Sequence, residues 1–149
     1  IGLVAASWAE AREVWLSVMG FEVADWKGAG ETGVYFAPER TINYFVQVGE
    51  GETVIEVIVP QDSESGAGKF LAKRGPGLHH IGYAVEDVAA EAERLRVAGL
   101  RQIDIGPRAT AAFFYPRDVQ GVLTELVPFE VPGARLHTGQ AVAAPPTSS

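Results

Sequence analysis

The sequence predicts an α+β fold in which two βαβββ modules pack around a pseudo-twofold axis. Three observations support this prediction: an internal repeat, a helix closed by glycine in each half, and a matching final strand in each half. Residues 1–5 read Ile-Gly-Leu-Val-Ala, and residues 81–85 read Ile-Gly-Tyr-Ala-Val. A module of this size cannot bury its hydrophobic face alone, so we expect two copies to pack and to bring equivalent positions together.

A helix follows the opening strand in each half. The first is predicted to begin at Ser7, which has the capping-box spacing to Glu10. Its apolar stripe consists of Trp8, Ala11, Trp15 and Val18. The second is predicted to begin near Asp87, and its stripe consists of Val88, Ala92 and Leu95. Gly20 and Gly99 suit the left-handed residue that closes a helix.

Strand-like segments complete each half and define the predicted organisation. After the glycines, the main β-rich segments are 41–48, 52–60, 112–115 and 121–128. We therefore expect four parts: a first module at 1–60, a linker with a short helix at 61–77, a second module at 78–130, and a disordered tail at 131–149. The tail is rich in Pro, Ala, Ser and Thr.

Composition narrows the class of protein. The chain has no cysteine, which excludes disulfides and thiolate chemistry. The absence of cysteine fits a cytoplasmic protein, which is the location we expect. Its net charge of −7 argues against a nucleic-acid partner, which requires a basic surface. Since no apolar run approaches membrane-spanning length, we expect no membrane association.

Two glutamates and a histidine form the candidate metal site. Glu56 and Glu125 lie at equivalent places in the last strand of each half, each surrounded by apolar residues. A carboxylate in such a strand is costly unless it is paired or ligated. His80 shares its strand face with the small residues Gly82 and Ala84, which leaves space beside the imidazole. We therefore predict a divalent cation bound by Glu56, His80 and Glu125, with Co, Mn, Ni, Zn, Fe and Mg all suited to such ligands.

The other histidines have weaker assignments. The repeat places the counterpart of His80 directly before Ile1, so the site has either a fourth ligand at that position or three protein ligands only. His79 is expected to face the core or the interface between modules. His137 lies in the predicted tail and is expected to have no role.

The sequence resembles the vicinal oxygen chelate superfamily, and within it the methylmalonyl-CoA epimerases. The resemblance is carried mainly by residues 69–82, which read Lys-Phe-Leu-Ala-Lys-Arg-Gly-Pro-Gly-Leu-His-His-Ile-Gly, and by residues 121–127, which read Gly-Val-Leu-Thr-Glu-Leu-Val. Residues 107–108 and 115–118 also resemble the corresponding residues of the epimerases. The resemblance implies mixed, curved sheets that form an open barrel-like cleft, and it suggests a small-molecule substrate and a homodimer.

The resemblance also implies a function. Family members hold a metal with two histidines and two Glu or Gln residues, and that metal chelates a thioester carbonyl and a neighbouring carboxylate. A base removes the proton between them and the metal stabilises the enolate. Carried over to this chain, the resemblance implies that Glu125 is an acid/base as well as a ligand.

One position departs from the epimerase pattern. The family places a further catalytic Glu on the third strand of the first module, where the best alignment of this chain puts Tyr44 or Asn43. Tyr44 is predicted to replace that Glu as an acid. The loop that follows residues 107–108 is also shorter than in the epimerases, where it helps to cover the substrate. Its shortness counts against an acyl-CoA substrate more than against the metal.

The leading hypothesis is therefore a metal-dependent isomerase that epimerises an acyl-CoA such as methylmalonyl-CoA. One alternative is a glyoxalase-like lyase or an extradiol-type dioxygenase of the same superfamily. Another is a non-enzymatic protein that binds a small molecule.

Overall fold

The fold was described from a computed structural model, which covers residues 1–26, 28–107 and 109–129. The predicted tail at 131–149, which includes His137, lies outside these residues, as does Arg108. Within them, no helix has the length and apolar character needed to cross a bilayer.

Each half contains a strand, a helix and further strands in the predicted order. The first half consists of β1 (Gly2–Val4), α1 (Trp8–Arg12), a π-helical segment (Glu13–Val18), β2 (Glu22–Val23), β3 (Val34–Phe36), β4 (Thr41–Gln47) and β5 (Val54–Pro60). Next comes α2 (Gly66–Arg74). The second half consists of β6 (Gly77–Val85), α3 (Val88–Val97), β7 (Gln102–Ile103), β8 (Ala112–Phe114), a 3₁₀ turn (Pro116–Asp118) and β9 (Thr124–Pro128).

The strands form one open sheet with the order β2-β4-β5-β1-β6-β9-β8-β7. At its centre β1 and β6 run antiparallel, whereas β1 pairs with β5 and β6 pairs with β9 in parallel. The two halves of the strand order are therefore equivalent about the centre, and the predicted α+β fold is confirmed. The short strand β3, which pairs with β4, was not predicted and has no counterpart among the described strands of the second half.

The predicted helix ends are confirmed. Ser7 Oγ accepts a hydrogen bond from Glu10 N at 3.2 Å, and the Asp87 carboxylate accepts one from Ala90 N at 2.9 Å. Gly20 and Gly99 have φ angles of +77° and +100°, in the region that favours glycine.

The first helix changes its pitch after one turn, and this corrects one element of the predicted stripe. In the π-helical segment, Met19 N donates to Val14 O at 2.9 Å. Because a π-helix has more residues per turn than an α-helix, positions after Arg12 rotate relative to the predicted stripe. Val18 is therefore 73% exposed, and Leu16 packs against the core instead.

Each module has its own hydrophobic core. The first centres on seven buried residues: Ala5, Ala11, Tyr44, Val46, Ile55, Val57 and Val59. The second centres on Ala92, Ala112, Phe114 and Leu126. A third cluster joins Val4, Ile58 and Ala67, with Phe70 packed against it, so α2 covers the sheet where the modules meet.

We predict that Gly68→Ala destabilises the fold by about 1–3 kcal/mol, although alanine normally favours a helix. A Cβ at Gly68 would lie 2.1 Å from the backbone carbonyl oxygen of Asp62, which cannot move without shifting the loop. Urea unfolding followed by circular dichroism measures the effect.

Gly66→Ala is the matched control in the same helix. Its Cβ would lie 3.0 Å from a carboxylate oxygen of Glu39, at the end of a flexible side chain. Equal unfolding free energies for the two variants would contradict the explanation.

Candidate metal centre

Three side chains from neighbouring strands converge on the sheet surface. Glu56 lies on β5, His80 on β6 and Glu125 on β9. His80 Nε2 is 3.0 Å from Glu125 Oε2 and 3.5 Å from Glu56 Oε2. One ligand atom from each residue lies within 4.8 Å of the other two. The structure thus brings together the three residues that the sequence proposes as ligands.

Two glycines of the repeat make room for this cluster. Gly2 pairs with Glu56 across the parallel strands β1 and β5, and Gly82 pairs with Glu125 across β6 and β9. A Cβ at Gly2 would lie 2.1 Å from Cε1 of His80, and a Cβ at Gly82 would lie 3.1 Å from Glu125 Oε2. The glycine of each Ile-Gly dipeptide therefore makes room for one ligand side chain: Gly2 for the imidazole of His80 and Gly82 for the carboxylate of Glu125.

Asn43, rather than Tyr44, is the β4 residue that contacts the cluster. Asn43 Nδ2 donates a hydrogen bond to Glu56 Oε1 at 2.8 Å. Tyr44 belongs to the first core and stacks on Trp8, with ring centroids 4.3 Å apart. Because successive side chains of a strand face opposite sides, the structure does not bring Tyr44 to the cluster. The sequence offers the two residues as alternatives, and only their register distinguishes them.

A β-bulge changes the position of His79. Gly2 pairs with His80 but Leu3 pairs with Leu78, so His79 is an extra residue in β6. The Nδ1 atoms of His79 and His80 lie 3.1 Å apart, and the His79 ring meets Phe70 of α2 edge-on. Strict alternation of side chains along β6 would place His79 on the opposite face from His80 and would not give this contact. The bulge has no clear signal in the sequence.

The pKa values of the two histidines shift in opposite directions. Burial lowers the pKa of His80, but hydrogen bonds with Glu125 and Glu56 and the charges of both carboxylates outweigh this effect and raise the pKa to about 9. Burial lowers the pKa of His79 to about 4, assisted by the charge on His80. Near pH 7 His79 is therefore neutral, and its Nδ1 can accept a hydrogen bond from the Nδ1–H group of a protonated His80.

Aromatic rings border the cluster on both modules. Phe113 pairs with Glu125 across β8 and β9, and its ring lies 5.7 Å from that of His80. Phe45 pairs with Glu56 across β4 and β5, at the equivalent place in the first module. These rings lower the polarity around the charged groups and strengthen their interactions.

The donor set fits a divalent cation. It offers one imidazole nitrogen and two carboxylates, ligands that suit several first-row metals and Mg²⁺. Two carboxylates facing one buried imidazole are also the arrangement that a cation would neutralise. The His80 side chain is 6% exposed whereas those of Glu56 and Glu125 are 23% and 16% exposed, so the site is open to a ligand on the carboxylate side.

Comparisons with known proteins agree with this architecture. Residues 1–115 match the model of the glyoxalase/bleomycin resistance protein/dioxygenase superfamily. The uncharacterized protein YqjC of Bacillus subtilis is 31% identical over 131 residues, which cover 85% of this chain and 87% of that protein. The mitochondrial methylmalonyl-CoA epimerase of Dictyostelium discoideum is 30% identical over 123 residues, which cover 78% of this chain and 69% of the epimerase.

A solved structure extends the comparison to three dimensions. A variant of Streptomyces coelicolor methylmalonyl-CoA epimerase, in complex with 2-nitronate-propionyl-CoA, is 28% identical and superimposes with a TM-score of 0.74. The match covers 89% of this chain and 94% of that one. The chain therefore belongs to the glyoxalase/bleomycin resistance protein/dioxygenase superfamily, the vicinal oxygen chelate group that its sequence resembles.

Proposed function

We propose that this protein is a metal-dependent isomerase that removes and returns the proton next to the thioester carbonyl of an acyl-CoA. Methylmalonyl-CoA is the first substrate to test, because two similar proteins are named as a methylmalonyl-CoA epimerase and as an ethylmalonyl-CoA/methylmalonyl-CoA epimerase. The observation that carries the proposal is the convergence of Glu56, His80 and Glu125 on one open surface of the sheet. The comparisons favour neither the lyase, nor the dioxygenase, nor a non-enzymatic binding protein.

Glu56, His80 and Glu125 would hold the cation through Oε2, Nε2 and Oε2. When bound, a divalent cation supplies Lewis-acid polarisation of the carbonyl oxygen on which negative charge develops. Gly2 beneath the imidazole and the His79 Nδ1 contact orient His80, as groups around metal ligands commonly do. The homodimer suggested by the resemblance remains a prediction.

Glu125 is the group best placed to move the proton. Glu56 Oε1 is held by Asn43 Nδ2, whereas the described hydrogen-bonding partner of Glu125 is His80. A carboxylate that can rotate away from a cation has a free oxygen to accept a proton from one face of the α-carbon, and inversion requires that a proton return on the opposite face. The amide of Asn43 is neither an effective acid nor an effective base near pH 7, so Asn43 cannot act as the second acid/base.

We predict that cation binding at pH 7 releases about one proton per ion. His80 has a pKa of about 9 without a cation, so at pH 7 its Nε2 carries a proton that the cation must displace. Affinity should therefore rise about tenfold per pH unit between pH 7 and pH 8. Titration calorimetry of Zn²⁺ binding in buffers of different ionisation enthalpy measures the release.

His80→Gln provides the control, since it keeps a polar side chain but has no titrating nitrogen. This variant should bind Zn²⁺ more weakly and with no proton release. Binding to the wild type that is equally tight at pH 7 and pH 8 would contradict the role of His80 as a ligand.

We further predict that Glu125→Gln lowers α-proton exchange of methylmalonyl-CoA by about 10²–10⁴-fold. The amide cannot accept the proton that the carboxylate accepts. Exchange is measured in deuterated water by mass spectrometry, with the cation content of each variant determined beforehand so that lost ligation and lost proton transfer are separated.

Glu93→Gln removes a carboxylate from the exposed surface of α3 and should leave exchange unchanged. No exchange above background with the cation-loaded wild type would exclude methylmalonyl-CoA as a substrate. Undiminished exchange in Glu125→Gln would instead exclude Glu125 as the acid/base.

A further inference from the structure

We propose that Asn43 is a specificity residue, which accepts a hydrogen bond from an N–H or O–H group that the substrate carries beside its metal-chelating oxygen atoms. The inference rests on the proposed function, since it requires a cation at Glu56, His80 and Glu125. It adds a chemical requirement on the substrate that the three ligands do not impose.

The orientation of the Asn43 amide follows from its partner. Glu56 Oε1 lies 2.8 Å from the Asn43 amide, and an ionised carboxylate can only accept hydrogen bonds. The NH₂ group must therefore face Glu56, and the Oδ1 atom must occupy the other position. This removes the usual ambiguity between the nitrogen and oxygen atoms of an asparagine.

Asn43 Oδ1 is a buried acceptor whose hydrogen-bonding capacity is unused. Asn43 is only 9% exposed, and within the part of the chain that the structure describes its Oδ1 has no hydrogen-bond partner. Leaving a buried acceptor unpaired is costly, and a bound molecule with a donor group would remove that cost. The Oδ1 atom itself has almost no accessible surface, so a bound molecule reaches it only if the side chains that cover it move. Since the amide nitrogen contacts Glu56, such a molecule would lie beside the cluster.

The second module lacks an equivalent group. Asn43 lies two residues before Phe45, which pairs with Glu56, and the residue two before Phe113, which pairs with Glu125, is Ala111. The cluster therefore has an amide acceptor beside Glu56 and an alanine at the equivalent position beside Glu125. A substrate with one donor group would bind in a single orientation.

This acceptor restricts the chemistry of the ligand. Carboxylate and ester oxygens carry no hydrogen, whereas hydroxyl and amide N–H groups do. A hydroxyl or an amide N–H group on the acyl chain, next to the oxygen atoms that chelate the cation, would offer this chemistry. We expect acyl thioesters with such a donor to be preferred over those that lack one.

Two small chelators test the inference on the Co²⁺-loaded protein. Acetohydroxamate and N-methylacetohydroxamate can chelate a cation through the same two oxygen atoms, but only the first has an N–H group. The wild type should bind acetohydroxamate about tenfold more tightly, and Asn43→Ala should lose that advantage through weaker binding of acetohydroxamate alone. Titrations followed by the visible absorption of Co²⁺ measure both affinities.

Gln47→Ala is the matched control, because it removes an amide from the same strand whose Nε2 donates to Gly51 O instead of to the cluster. It should keep the wild-type preference. The wild-type comparison needs no variant, so it remains a test even if Asn43→Ala fails to fold.

Several outcomes would overturn the inference. Equal binding of the two chelators by the wild type would show that no N–H group is recognised, while the proposed cation site would stand. An equal loss for both chelators in Asn43→Ala would show that Asn43 acts only through Glu56. A gain in N-methylacetohydroxamate affinity, with acetohydroxamate unaffected, would show a steric preference. Absence of Co²⁺ binding by the wild type would instead overturn the proposed function itself.

Discussion

The antiparallel pairing of β1 with β6 is the interaction on which the rest of the structure depends. It joins the two modules into one sheet and places His80 directly beside Gly2. The parallel neighbours of these strands, β5 and β9, then carry Glu56 and Glu125 to either side. Without this central pairing the first module would hold Glu56 alone, and the second would hold only His80 and Glu125. The candidate site is thus a product of the assembly of the two modules.

Much of this arrangement could be predicted from the sequence because it follows from the repeat. The shared Ile-Gly dipeptides and the final strands define equivalent positions, and a pseudo-twofold axis must bring such positions together. Helix ends were also predictable, since Ser7 and Asp87 cap through their own side chains. These features depend on residues close in sequence or on symmetry, and both leave a signal in the order of amino acids.

What could not be predicted depends on shifts of one residue. A single extra residue at His79 brings that imidazole into contact with His80 and Phe70, which strict alternation of side chains would not do. The strand register determines whether Asn43 or its neighbour Tyr44 meets Glu56, and both residues fit a strand equally well. The π-helical segment similarly rotates Val18 outward. Such shifts are decided by packing between distant segments, for which neighbouring residues carry little information.

The wide separation of the candidate ligands along the chain has a consequence for folding. Residues 56, 80 and 125 meet only after β1 has paired with both β5 and β6 and after β9 has joined the sheet. An unfolded chain offers no such site, so a cation would bind the native state selectively. At a free cation concentration one hundred times its dissociation constant, this linkage adds about 2.7 kcal/mol to the stability of the native state. Removing the cation would then lower the free energy of unfolding by the same amount.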